Sequence, residues 1–118
     1  MPRSIAEYLE HILDEIDYLG KATQNIDKDA FLHDETLRRS FVRSIEIIGE
    51  AVKQIPDSTR QQYEQIDWRS IAGMRDRLIH AYFGVDYEIV WDVAANKAAQ
   101  LAPAVQQVLD DVRARQND

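Results

Sequence analysis

The chain contains no cysteine, which excludes a disulfide scaffold, thiolate metal sites and a cysteine nucleophile. Its four glycines, Gly20, Gly49, Gly73 and Gly84, are scattered, so no glycine-rich loop is available to cradle a phosphate. No apolar run approaches the roughly 20 residues that a membrane-spanning helix needs. Met1-Pro2-Arg3-Ser4 leads straight into a charged amphipathic pattern and not into an apolar signal segment. There is no strand-like alternation of useful length, no internal repeat and no low-complexity tract. These absences predict a soluble, cytoplasmic, all-α protein with no membrane partner. With 118 residues, 45% of them hydrophobic and 30% charged, the chain is sized for a single domain spanning 1–118.

The net charge of −7 argues against nucleic acid as a partner at first sight. Its distribution says more. Residues 1–37 carry 3 basic and 9 acidic side chains, residues 84–118 carry 3 and 6, and residues 38–83 carry 8 and 6. Basic charge is thus concentrated in the middle third of an otherwise acidic molecule.

Apolar residues recur at three- and four-residue steps in several segments. Ile5, Leu9, Ile12, Ile16 and Leu19 predict a helix over 4–24, opened by a Ser4/Glu7 capping box. The Asp- and Lys-rich segment Asn25–His33 reads as a loop, pinned by Phe31 and Leu32. Leu37, Phe41, Ile45, Ile48, Val52 and Ile55 predict a second helix from Asp34 to Ile55, ended by Pro56. Asp57 is expected to cap a short segment to about Tyr63. Asp67 is the expected N-cap of a third helix running to Phe83, with Gly84 as its C-cap. Asp86 caps a fourth over 87–97, and Pro103 starts a last one to about Arg113. The prediction is a mostly antiparallel bundle of four to five helices.

The third helix holds the densest chemistry: Arg75, Asp76, Arg77, His80 and Tyr82 fall within eight residues. The other histidines, His11 and His33, sit in different segments and form no metal-binding pair with His80. No Glu-x-x-His pair or H-E-x-x-H motif occurs, and no nucleophile elbow supports a serine triad. Asp14, Glu15 and Asp17 read as a solvated helix face. No metal and no cofactor are therefore expected, and metal-free chemistry around His80 is what survives.

At 100° per residue, Ile71, Met74, Leu78 and Tyr82 share one face, the expected core side, with Arg75 at its edge and His80 about 140° away from Arg75. One straight helix does not aim Arg75 and His80 at the same atom. Either Arg75 curls round, or the helix distorts, or a second protomer completes the site, and Gly73 on the His80 side would admit a close backbone. Spacing alone favours a plain polar face, on which Asp76 and His80 form a weak surface ion pair and Tyr82 is a core aromatic.

Arg75-x4-His80-x-Tyr82 resembles the R-x4-H-x-Y motif of HepT-type toxins of the HEPN superfamily. The likeness extends through Ser44-Ile45-Glu46-Ile47-Ile48-Gly49-Glu50-Ala51, Trp68-Arg69-x-Ile71-Ala72-Gly73-Met74-Arg75, Leu78-Ile79-His80-x-Tyr82-Phe83-Gly84-Val85-Asp86 and Ile89-Val90-Trp91. It implies a homodimeric HEPN-like bundle acting as a metal-independent endoribonuclease, with the Arg and His of both protomers at the dimer interface. His80 would handle protons during attack of a ribose 2′-hydroxyl on the adjacent phosphate. Arg75 would stabilise charge on that phosphate, and Asp76 would assist. The implied substrate is RNA, with tRNA the leading candidate, and the implied outcome is growth arrest. The implied partner is an MntA-type minimal nucleotidyltransferase antitoxin that transfers AMP to Tyr82. Charge alone nominates Arg38, Arg39, Arg43, Arg69 and Arg77 as an RNA phosphate track. The competing readings are a non-catalytic HEPN-like accessory subunit that helps a nucleotidyltransferase bind its substrate, and a plain oligomerisation bundle.

Overall fold

A computed structural model describes residues 3–79 and 84–116, and every element among them is helical. In chain order these are α1 (Ile5–Gln24), α2 (Lys28–Leu32), α3 (Glu35–Lys53), α4 (Asp57–Gln62), α5 (Trp68–Ile79), α6 (Tyr87–Asp92), a π-helical turn (Val93–Lys97) and α7 (Ala98–Gln116). The fold is an all-α, HEPN-like bundle. α1 packs against both α3 and α7, and α5 packs along α3. None of the helices among the described residues is long and apolar enough to cross a membrane.

The apolar stripes read from the sequence form the core. Leu9, Ile12, Ile16 and Leu19 of α1 are buried against Phe41, Ile45, Ile48 and Val52 of α3 and Val105, Val108, Leu109 and Val112 of α7. Each such side chain contributes roughly 1.5–3 kcal/mol when fully buried. The helix starts are capped as their residue types require. The Ser4 hydroxyl accepts from the Glu7 N–H at 3.2 Å, and Asp34 accepts from the Leu37 N–H at 3.0 Å. Asp67 accepts from the Ser70 N–H at 3.1 Å, and Asp86 accepts from the N–H groups of Glu88 and Ile89. At the far end of α3, Arg60 donates to the carbonyls of Val52 and Lys53 and to that of Ile55 just beyond, bracing the last turn of the helix.

Three expectations need correction. The segment Asn25–His33 is not all loop. Asp27 accepts from the Ala30 N–H at 2.8 Å and starts α2, whose Phe31 is fully buried. Phe31 lies 4.7 Å from the Phe41 ring and 5.5 Å from Trp91, so its burial offsets the cost of ordering a short polar helix. Asp57 is not a cap, because Pro56 holds the N-cap position and Asp57 is the first helical residue. Pro103 does not begin a helix. α6, the π turn and α7 run on without a break, and Pro103 lies inside α7. The π turn is marked by the Ala98 N–H donating to the Val93 carbonyl five residues back. The core stripe of Val105, Val108, Leu109 and Val112 holds α7 on α1 despite the missing N–H of Pro103.

Candidate active site

α5 is anchored at its start. Trp68 is buried, and its indole N–H donates to the Tyr63 carbonyl at 3.1 Å. From Arg69 to Leu78 no residue of the helix is buried. The face carrying Ile71, Met74 and Leu78, the expected core side, is half-covered, because among the described residues α5 leans mainly on α3. A groove of about 480 Å³ runs between Ile71 and Met74 on one side and Val93, Ala98 and Leu101 on the other. Arg77 and Lys97 stand on its rim.

The contact with α3 is set by a glycine. A Cβ on Gly49 would lie 2.2 Å from the Cβ of Arg75 and 3.3 Å from the Ile71 carbonyl oxygen. Only hydrogen at position 49 lets the two helices approach this closely. The stem of Arg75 lies across Gly49, its side chain is 26% exposed, and its Nε is buried with no hydrogen-bond partner among the described residues.

The guanidinium end reaches carboxylates on two helices. Arg75 Nη1 donates to Asp76 Oδ1 at 3.1 Å, and Nη2 lies 3.8 Å from Glu50 Oε1 on α3. Lys53 of α3 also donates to Asp76. Arg43 donates to Glu46 at 3.3 Å and to the same Glu50 oxygen at 3.4 Å. The Asp76 carboxyl is held below its ordinary range by the hydrogen bond from Lys53 first and that from Arg75 second. Three cations and three carboxylates thus form one chain of charge. On its other side Glu50 borders a cleft of about 450 Å³ lined by Arg3, Tyr8, His11, Ile47 and Gln54.

The predicted site residues are distributed unevenly. Arg75 and Asp76 are adjacent and hydrogen-bonded, and Arg43 joins them through Glu50. Arg39 pairs with Glu35 on its own helix at 2.7 Å. Arg38 is turned toward α6, with its guanidinium 5.0 Å above the Tyr87 ring. Arg69 and Arg77 are exposed on α5. Of these arginines, Arg43 shares a carboxylate with Arg75. His80 and Tyr82 lie outside the described residues, as does the predicted end of α5 at Phe83. Gly84, the predicted C-cap, has a φ of +119° that strongly favours glycine. A Cβ on Gly73 would meet nothing within 4 Å. Among the described residues, no group of three or more His, Cys, Asp or Glu side chains is placed to hold a metal ion.

Sequence reasoning assigned no role to Gly49, Glu50 or Lys53. One signal was available. A glycine in mid-helix costs up to about 1 kcal/mol against alanine, so one standing between Ile48 and Val52 marks a close approach.

The bundle, with an arginine held among carboxylates on a half-covered helix, defines a helical protein equipped to meet an anion. Comparison with known proteins makes the class specific. The chain matches the family "Ribonuclease HepT-like" over residues 12–108. It is 46% identical over 102 residues to a protein named "Putative RNase" in Caldanaerobacter subterraneus subsp. tengcongensis, covering 86% of this chain and 91% of that one. It is 44% identical over 91 residues to a "Probable ribonuclease HepT" of Thermococcus cleftensis, covering 77% and 83%. A "Putative RNase" of Methanocaldococcus jannaschii is 38% identical over 106 residues, covering 90% and 84%. No solved structure matches. The chain belongs to the HepT-like ribonuclease family.

Proposed function

We propose that this protein is the toxin of a two-component pair, a cytoplasmic, metal-independent endoribonuclease that cuts RNA, tRNA foremost, as a homodimer. The observation that carries the reading is Arg75. Its guanidinium is seated on α5 with its stem on Gly49, and its ends are steered by Asp76 and Glu50. It lies in a chain whose relatives bear ribonuclease names. A planar guanidinium fork suits the oxygens of a phosphate whose charge grows during attack.

In this scheme the 2′-oxygen of the ribose bonds to phosphorus as the P–O5′ bond breaks. His80 takes the 2′-hydroxyl proton, and a proton is returned to the departing 5′-oxygen. The products are a 2′,3′-cyclic phosphate and a 5′-hydroxyl, with neither oxidant nor metal consumed. The partner is a minimal nucleotidyltransferase of the MntA type. It transfers AMP from ATP to the Tyr82 hydroxyl with release of pyrophosphate, and the added charge and bulk two residues from His80 silence the site. The open space at Gly73 supports approach by a second protomer.

Purified protein incubated with total tRNA and EDTA tests the cleavage. Wild type should yield cyclic-phosphate ends, while Arg75→Ala and His80→Ala should not. Equal cleavage by wild type and His80→Ala would reject the nuclease reading. Incubation with ATP and the nucleotidyltransferase should add one AMP mass to wild type and none to Tyr82→Phe. A monomer in sedimentation at micromolar concentration would refute the dimer.

A further inference from the structure

Arg43, Glu46, Glu50 and Lys53 occupy one stripe of α3 at steps of three and four residues. Arg75 enters that stripe from α5. Asp76 holds one end of the guanidinium through the 3.1 Å bond, and Lys53 of α3 holds Asp76 in turn, so this restraint reaches α3 only at second hand. Glu50 reaches the other end directly from α3, next to the glycine on which the Arg75 stem rests. A guanidinium restrained at one Nη swings about that contact. An ion pair at the second Nη, here at 3.8 Å and so longer than a hydrogen bond, narrows that swing.

We infer that Glu50 is a positioning residue for Arg75, narrowing the orientations of the guanidinium while weakening its pull on the substrate. The inference rests on the ribonuclease reading and adds to it a residue of α3. Two opposing consequences follow. A carboxylate 3.8 Å from Nη2 repels an incoming phosphate, and the chain of three cations and three carboxylates has no net charge with which to attract one. Yet the fork is already oriented when the phosphate arrives, and orientation of this kind raises the turnover rate. Glu50 therefore costs affinity and gains rate, a signature that neither a plain surface charge nor a structural residue would give.

The test is steady-state cleavage of a fluorogenic RNA oligonucleotide, with EDTA, by wild type, Glu50→Gln and Glu46→Gln. Glu46→Gln removes the same charge one turn away, where the carboxylate touches Arg43 and not Arg75. Glu50→Gln should lower kcat by about 10- to 100-fold while lowering KM by about two- to fivefold. Glu46→Gln should lower KM with kcat unchanged. An unchanged kcat in Glu50→Gln, or a rise in kcat/KM like that of Glu46→Gln, would show charge acting alone and overturn the inference. So would a fall in the thermal midpoint that accounts for the lost rate. Nitrogen-15 NMR of the Arg75 Nε–H reads the restraint without any activity. The signal should be ordered in wild type and mobile in Glu50→Gln, and an unaltered signal overturns the inference. Failure of wild type to cleave any RNA would instead defeat the ribonuclease reading and leave the NMR comparison to decide the restraint.

Discussion

Gly49 and Arg75 touch through a missing side chain: a Cβ on residue 49 would lie 2.2 Å from the Arg75 Cβ and 3.0 Å from its Cγ. Both clashing carbons lie close to the α5 backbone, so no rotamer of Arg75 relieves the overlap and α5 itself has to move. Alanine at position 49 would favour helix formation by up to about 1 kcal/mol, against an overpacking cost of about 1–3 kcal/mol. Gly49→Ala should therefore lower stability by up to about 2 kcal/mol. It should also lower RNA cleavage by far more than the unfolded fraction explains, because Arg75 is carried away from Glu50. Thermal unfolding paired with cleavage well below the midpoint checks both. A variant as stable and as active as wild type would refute the contact.

Helix period and capping chemistry predicted the bundle well, because Leu9, Ile12, Phe41, Ile48, Val108 and their neighbours announce their faces at three- and four-residue steps. Asp34, Asp67 and Asp86 announced helix starts for the same local reason. Less legible were features that depend on other parts of the chain. Phe31 turns a polar loop into a helix only because Phe41 and Trp91 await it. Pro103 reads locally as a helix start, and only the tertiary burial of α7 carries the helix through it. At the site, Arg75 and Asp76 were visible as a motif, but Glu50 and Lys53 are 25 and 23 residues away in sequence from Arg75 and Asp76, out of range of any local pattern.

Arg75→Lys separates charge from geometry. Lysine keeps the positive charge but replaces a planar fork by a single ammonium, which cannot serve Asp76, Glu50 and a phosphate in fixed directions. Cleavage should fall by about 10²- to 10³-fold, and RNA binding measured by fluorescence anisotropy should weaken far less. A lysine variant within a few-fold of wild type in turnover would mean that only the charge of Arg75 matters.

Pro103→Ala tests the continuity of the last helix. Proline in a helix interior costs about 3 kcal/mol relative to alanine. Part of this is offset because proline also restricts the unfolded chain by about 0.4–1 kcal/mol. Residue 103 is exposed, so the exchange removes no core packing. The variant should gain about 2–2.6 kcal/mol in urea-unfolding stability. A loss would show that the proline itself shapes the path of α7 over α1.

Acid sensitivity should centre on the C-terminal half of α7, where Tyr63 donates to Asp111 Oδ2 at 2.7 Å and Gln107 donates to Oδ1 at 2.9 Å. These two hydrogen bonds, that from Tyr63 first, hold the Asp111 carboxyl below its ordinary value of 3.8. Burial, and then the bond to Asp111, pushes the Tyr63 hydroxyl up, so it stays a donor through neutral pH. A carboxyl lowered by folding contributes stability that is fully present above its unfolded value and is lost as pH falls through the folded one. Asp111 is therefore expected to stabilise the protein at pH 7 and to stop doing so once the pH drops below the value of 3.8 and passes its depressed folded value. Wild type should unfold at a higher temperature than Asp111→Asn at neutral pH, and the gap should close as the solution is acidified from pH 5 toward pH 2. Asp67 and Asp76 are shifted in the same direction and should sharpen the acid transition of both proteins alike. A gap of constant size across that range would mean that the Tyr63–Asp111 bond does not discriminate the charged carboxylate from the neutral acid.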